Sequence, residues 1–479
     1  MTPMTDPLHT PSRRELLLAL ASLGALAITG CGGDQSVPAV APPAPSVPGA
    51  TMLRMSRQGS NRGTAYLQDN KVLSLPDGST LVTYLESHGS RVVVILEQLD
   101  RQLTGVFRMA VGLAVNNHRG ASMALDSQQV LHIVYGPHGG PMRYRRNQKA
   151  SAWFELGAEQ KFGGMLTYPS LVVDAKDRLW VAAREGSGSQ RAKGTMEVWA
   201  MHARGVFHRI AKPLVNRKVG YAAFNPSLHI DTQGRLYLTA TIHEGTDELA
   251  YGHQAITYLT SDDAGATWKN ARQEVLKLPA TVAEAGAIYE GGMLVKKIVN
   301  GGMVTTDASG QVMAHFHIEY VDQNRSSLML ARLDKGLWQL DDLRQLCDVP
   351  AGHEFCDPGV MCVHGTTITF ASVMQNVALA DRSPFHGAAW GHASNRVAIG
   401  RFNLSTRTGQ FKLLPADGSL ERPLLVAQHA ASHPSGRRCR GTRHRHLHTR
   451  QSRRGLLGGR TRCLCPPSGL LTSAPSTDR

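Results

Sequence analysis

Four side chains able to move protons or carry positive charge stand at comparable places in two successive copies of one phrase. His118 and His138 bracket GASMALDSQQVLHIVY, while Tyr168 opens and Arg184 closes YPSLVVDAKDRLWVAAR. Tyr221, Asn225 and His243 take comparable places around a third copy, NPSLHIDTQGRLYLTAT. If one strand runs out and the next returns, the residue before the first and the residue ending the second share a rim. Imidazole and phenol can take and give protons. A guanidinium can neutralise a carboxylate. Together they suit removal of a proton alpha to a carboxylate, followed by loss of the oxygen on the next carbon. The competing reading is that these are solvated rim residues, as most rim residues are. Four of them converging from neighbouring copies set a site beside that reading as its equal.

The elements that must place them are read from the same phrases. Asp126, Asp174 and Asp231 each stand five residues before the Leu that opens the second strand (Leu131, Leu179, Leu236). Asp307 repeats that spacing to Val312, and a looser copy surrounds Asp77. A hairpin recurring about every 50 to 75 residues suggests the blade of a β-propeller. The fold class expected is all-β. Six blade starts are recognisable, near Asp77, Asp126, Asp174, Asp231, Asp307 and His364. A seventh is expected from Asn395 to Leu414, paired with a strand from the N-terminal end. Ser261-Asp262-Asp263-Ala264-Gly265-Ala266-Thr267-Trp268 has the S-x-D-x-G-x-T-W pattern of an Asp-box. There Asp and Ser cap a tight turn, Gly supplies positive φ and Trp packs between strands. The signal is structural and marks no catalytic site by itself.

The ends of the chain read differently from its middle. Arg13-Arg14 precede an apolar run from Leu16 to Ile28, too short to span a bilayer and flanked like a signal peptide. The pair fits a twin-arginine export signal. Ile28-Thr29-Gly30-Cys31 resembles a lipobox, which would make Cys31 the lipidated residue; the plainer reading is a secretory signal with an incidental Cys. Residues 32–50 are rich in Pro and Ala and read as a tether. The propeller is expected over 51–428, in an exported protein held to a membrane by lipid. Residues 429–479 hold eleven Arg and a single acid, and so carry ten of the fifteen excess positive charges. This tail reads as GC-rich DNA translated out of frame and is expected to be disordered. The overall charge therefore does not indicate a nucleic-acid partner.

Three cysteines and two histidines share the stretch CDVPAGHEFCDPGVMCVHG: Cys347, His353, Cys356, Cys362 and His364. Two Cys and two His would satisfy a closed tetrahedral zinc site. The spacing matches no standard finger, so a disulfide, or three unpaired structural thiols, stand as alternatives. A structural zinc is the one metal the sequence suggests, and the rim chemistry requires no cofactor.

DSQQVLHIVYGPHGGPMRYRR, LTYPSLVVDAKDRLWVAAREGSGS and the Asp-box together resemble the BNR-repeat family that includes seven-bladed ulvan-lyase-type polysaccharide lyases. The likeness runs from about Leu67 to Leu404. It implies that His118 and His138 form the histidine pair of such lyases. It implies Tyr168 as the base, and as an acid too, with Arg184 neutralising a uronate. The implied substrate is an anionic, uronic-acid-containing polysaccharide cleaved by β-elimination, with Tyr221, Asn225 and His243 assisting binding. The sequence departs from the family in a shorter stretch between His138 and Tyr168 and in its C-terminus. Two alternatives stand beside the lyase. One is a non-catalytic glycan-binding propeller. The other is a sialidase-like hydrolase, against which the chain shows no clear N-terminal Arg-Ile-Pro element.

Overall fold

The Asp phrases fold into one kind of hairpin for a local reason. In each, an Asp Oδ1 accepts the backbone N–H groups two and four residues on: Gln128 and Val130 at Asp126, Lys176 and Arg178 at Asp174, Gln233 and Arg235 at Asp231, Ser309 and Gln311 at Asp307. The residue three places on has positive φ in every case: Gln129, Asp177, Gly234 and Gly310. The carboxylate thus closes the turn through donors that the strand ladder leaves over. In three turns the other carboxylate oxygen meets a side chain six residues on, which is His132, Trp180 or Tyr237. At Asp126 burial pushes the pKa up, but bonds from His132 and the Val130 N–H outweigh it and hold the carboxyl below its ordinary value.

The computed structural model describes residues 53–60, 63, 70–116, 118, 120–149, 152–186, 194–202, 205–216, 225–243, 254–292, 295–323, 325–377 and 394–414. The first sheet is antiparallel β1 (Val72–Ser74), β2 (Thr80–His88), β3 (Arg91–Leu99) and β4 (Gly105–Ala114). The second blade holds β5 (Ser122–Leu125), β6 (Leu131–Tyr135), β7 (Gly140–Arg146) and the first half of β8 (Gln160–Val173). The second half of β8 then opens the third blade, with β9 (Leu179–Glu185), β10 (Thr195–Met201) and β11 (His208–Val215), so the two blades form one seven-stranded sheet. The fourth is β12 (Asn225–Ile230), β13 (Leu236–Ile242), β14 (Ala255–Ser261) and β15 (Ala287–Glu290), with α1 (Val282–Ala285) before its last strand. The fifth is β16 (Lys297–Thr306), β17 (Val312–Tyr320), β18 (Arg325–Asp334) and β19 (Leu337–Asp342), followed by α2 (Leu343–Leu346). The sixth comprises β20 (Cys347–Asp348), β21 (His353–Phe355), β22 (Val360–His364), β23 (Thr367–Asn376), β24 (Asn395–Asn403) and β25 (Thr408–Leu413).

The apolar core lies in layers between successive blades. One layer joins Trp180, Val198 and Leu214 of the third blade to Leu228, Leu238 and Trp268 of the fourth. Others join the first to the second, the second to the third, the fourth to the fifth, and the fifth to the sixth. The second to fifth blades have such a layer on each face, so inner strands such as β6 and β13 are buried along their whole length. The Asp-box turn sits in one such layer. Ser261 Oγ donates to Asp263 and accepts from Gly265 N, Thr267 bonds Asp263, and the Trp268 indole N–H donates to the Gly265 carbonyl. Serine hydroxyls tie the innermost strands across the layers. Ser122 Oγ accepts from Leu171 N, Ser170 Oγ from Leu228 N, and Ser227 Oγ from Val304 N.

One expectation is corrected. The hairpin from Asn395 to Leu413 continues the sixth sheet, with β24 paired to β23 along its length, and founds no seventh blade. The N-terminal segment instead bonds the first blade, through Ser60 N and Gly63 O to Leu85 and through Gln58 O to Ser87. A long stretch between β23 and β24, residues 378–393, made one blade read as two. The export signal with Cys31, the tether, the basic tail and Tyr221 lie outside the described residues. Among the described residues no helix is long and apolar enough to cross a membrane.

Candidate functional site

The site is built where one strand serves two blades. In β8 the register shifts between the Thr167–Arg184 and Ser170–Ala182 pairs, and Tyr168 sits in that break with φ 60. A non-glycine residue held in the left-handed region costs on the order of 1–3 kcal/mol and persists only where its surroundings impose it. They do so here. Thr167 pairs with Arg184, and its Oγ1 accepts the Gly139 N–H at 3.0 Å, tying β8 to the loop that carries His138. The strand is bent at the point where it presents a phenol.

His118 lies between β4 and β5, and His138 between β6 and β7, so both reach the rim opposite the Asp126 turn. Their rings stack with centroids 4.6 Å apart and planes 10° apart. The His118 ring lies 6.1 Å from that of Tyr168, tilted by 43°. From β9 the Arg184 guanidinium sits 4.7 Å over the Tyr168 ring. Tyr168 and Arg184 are buried, at 3% and 1% exposure, while the two histidines are partly open. Thus the structure brings together four side chains that sequence spacing singled out: two imidazoles at the mouth, and a phenol and a guanidinium behind them.

Asn116, which the sequence did not single out, fixes one proton. Its Oδ1 accepts the backbone N–H of His118 at 3.0 Å, so its amide nitrogen is the group that faces His138 Nδ1 at 2.9 Å. His138 Nδ1 must accept, and the neutral ring then carries its proton on Nε2. The only sequence signal was an Asn two residues before a rim histidine.

His243 follows β13 and is 2% exposed, and Asn225 opens β12 opposite Thr241. Both lie on the matching rim of the fourth blade, whose β12 packs against β8 and β9. The Cys and His of the proposed zinc site are not gathered. Cys347, Cys356 and Cys362 are partly buried thiols. His353 and His364 lie on separate strands, β21 and β22. Among the described residues, no three or more His, Cys, Asp or Glu come together as a metal site.

The sequence pattern of the BNR repeat-containing family matches residues 79–346. The chain belongs to that family. Solved structures place this BNR-repeat chain among β-propellers. A PL25 ulvan lyase bound to -[GlcA(1-4)Rha3S]- superposes with a TM-score of 0.55 at 13% identity, covering 74% of this chain and 84% of that one. The polysaccharide lyase Uly1 superposes with a TM-score of 0.53 at 12% identity, covering 77% and 86%. No curated protein sequence matches the chain.

Proposed function

We propose that this BNR-repeat propeller is a polysaccharide lyase that cleaves a uronic-acid-containing anionic polysaccharide by β-elimination. One observation carries the reading: a phenol, two imidazoles and a guanidinium from two blades share one rim, with ring and cation separations of 4.6, 6.1 and 4.7 Å. Arg184 neutralises the uronate carboxylate, which makes the proton on the adjacent carbon removable. Tyr168, as its phenolate, takes that proton as the C–H bond breaks. The electron pair forms the new carbon–carbon double bond as the bond to the 4-linked oxygen breaks, and that oxygen receives a proton from Tyr168 or a histidine. His118 and His138 bind and orient the sugar at the mouth. His243 and Asn225 extend the contact on the next blade. The likeness to a propeller solved with glucuronate linked to 3-sulfated rhamnose supports a sulfated uronate polymer as substrate.

The test is Tyr168→Phe, assayed by the ultraviolet absorbance of the unsaturated uronate product on a panel of uronate polysaccharides. The variant loses only a hydroxyl, so polymer binding should persist while turnover falls by about a hundredfold or more. A fully active variant would remove Tyr168 from the base role. A wild-type protein that binds these polymers but releases no unsaturated product would make this a binding propeller.

A further inference from the structure

On the rim opposite the His118–Tyr168 cluster, three turns from the fourth and fifth blades converge around a hollow of about 550 Å³, a size within the range of ligand pockets. They are the turn after the Asp-box at Arg272 and Gln273, the Asp307 turn at Ser309 to Gln311, and the β18–β19 turn at Lys335 and Gly336. Gly336 holds two of them together. It has φ 82, and a Cβ there would lie 3.3 Å from Arg272 Cα, so the fifth-blade turn rests on the backbone of the fourth-blade turn. The lining includes Arg235, Arg272 and Lys335, and neither Asp nor Glu. Arg235 lies 3.9 Å from Asp262. Arg272 and Lys335 make no salt bridge among the described residues. Tyr237, whose hydroxyl donates to Asp231, and Gln311, whose amide donates to the Leu333 carbonyl, form its floor. A second hollow of about 400 Å³ shares Tyr258, Arg272 and Gly336 and extends to Trp338; it is lined by Glu274 and Glu284, so the cationic part of the groove is the first hollow.

We infer that this groove is a second binding site for an anionic polysaccharide chain, separate from the cluster that the proposed lyase reaction uses. The inference rests on that reading for the ligand class. The groove's own chemistry is cations for carboxylate or sulfate, amide and hydroxyl groups such as Gln273 and Ser309 for sugar hydroxyls, and the partly exposed Trp338 for a ring face. A polymer held at the far rim raises the local concentration of its other segments at the catalytic rim, which favours long chains over short ones.

The test is affinity electrophoresis of the full chain through gels containing a sulfated uronate polysaccharide, its desulfated form, or neutral dextran. Arg272→Ala with Lys335→Ala changes two exposed turn residues. Exposed ion pairs of the usual strength make the expected loss of retardation on the order of tenfold in the sulfated gel, with migration in dextran unchanged. The same comparison in an Arg184→Ala background reads the groove without the catalytic rim. Formation of unsaturated product from a short oligosaccharide by the groove variant reads the rim without the groove. Unchanged retardation of the groove variant in both backgrounds would overturn the inference. So would an equal loss of affinity for a single-stranded oligonucleotide, which would make the groove a nucleic-acid surface.

Discussion

His315 joins the fifth blade to the sixth, and its protonation should be visible in the stability of the protein. Met303 N donates to its Nδ1 at 3.3 Å, so the neutral ring carries its proton on Nε2, which donates to the Gly359 carbonyl at 2.9 Å. The side chain is 1% exposed, and burial pushes its pKa down from 6.5 to about 4. Because the folded value lies below the unfolded one, the contribution is complete above about pH 6.5 and is lost as pH falls toward 4. With these two values, greater proton uptake by the unfolded chain costs about 0.2 kcal/mol at pH 7 and about 2 kcal/mol at pH 5. Asp357 acts in the opposite sense. Burial raises its carboxyl from 3.8 to about 7, so it favours the folded state as pH falls. The wild-type curve alone therefore mixes the two effects, and a difference between proteins separates them. His315→Gln keeps a donor within reach of Gly359 and leaves Met303 N–H without its acceptor, for a loss of about 1–3 kcal/mol at pH 7. Urea unfolding followed by tryptophan fluorescence at pH 7 and pH 5 should show that the variant loses about 2 kcal/mol less between the two than the wild type. Parallel curves for both proteins would refute a buried, neutral His315.

Trp268→Ala empties a fully buried position in the layer between the third and fourth blades, and calorimetry should register a loss of about 3–5 kcal/mol. Asn116→Ala frees His138 from its fixed tautomer, so turnover should fall by about tenfold or more, with a raised KM and an altered pH–rate profile. An unchanged profile would remove Asn116 from the positioning of His138.

The hairpins were legible because an Asx turn demands an Asp at one place and a tolerant residue three positions later, and four phrases keep that spacing. The rim cluster was legible from the same spacing, since strand direction alone puts His118, His138, Tyr168 and Arg184 on one side. Other features depend on partners distant in sequence. Ser122, Ser170 and Ser227 look like ordinary strand serines until the next blade supplies a backbone N–H 49, 58 or 77 residues away. The Asn116 tautomer lock needs His138, 22 residues on. The Cys-rich stretch misled in the opposite direction, because closeness along the chain was undone by strands that carry Cys347, Cys356 and Cys362 to different parts of the sixth sheet.

The shared strand β8 has an evolutionary and engineering consequence. Repeat proteins of this kind grow and shrink by gaining or losing whole units at the seams between sheets. A seam crossed by a hydrogen-bonded strand offers no such break, because inserting a unit there would cut β8 at the bulge that holds Tyr168. Duplication or circular permutation should therefore be tolerated at the looser seams, such as those flanking the fifth blade, and not between the second and third. Among the described residues, the proposed chemistry sits on a joint that the fold cannot easily reshuffle.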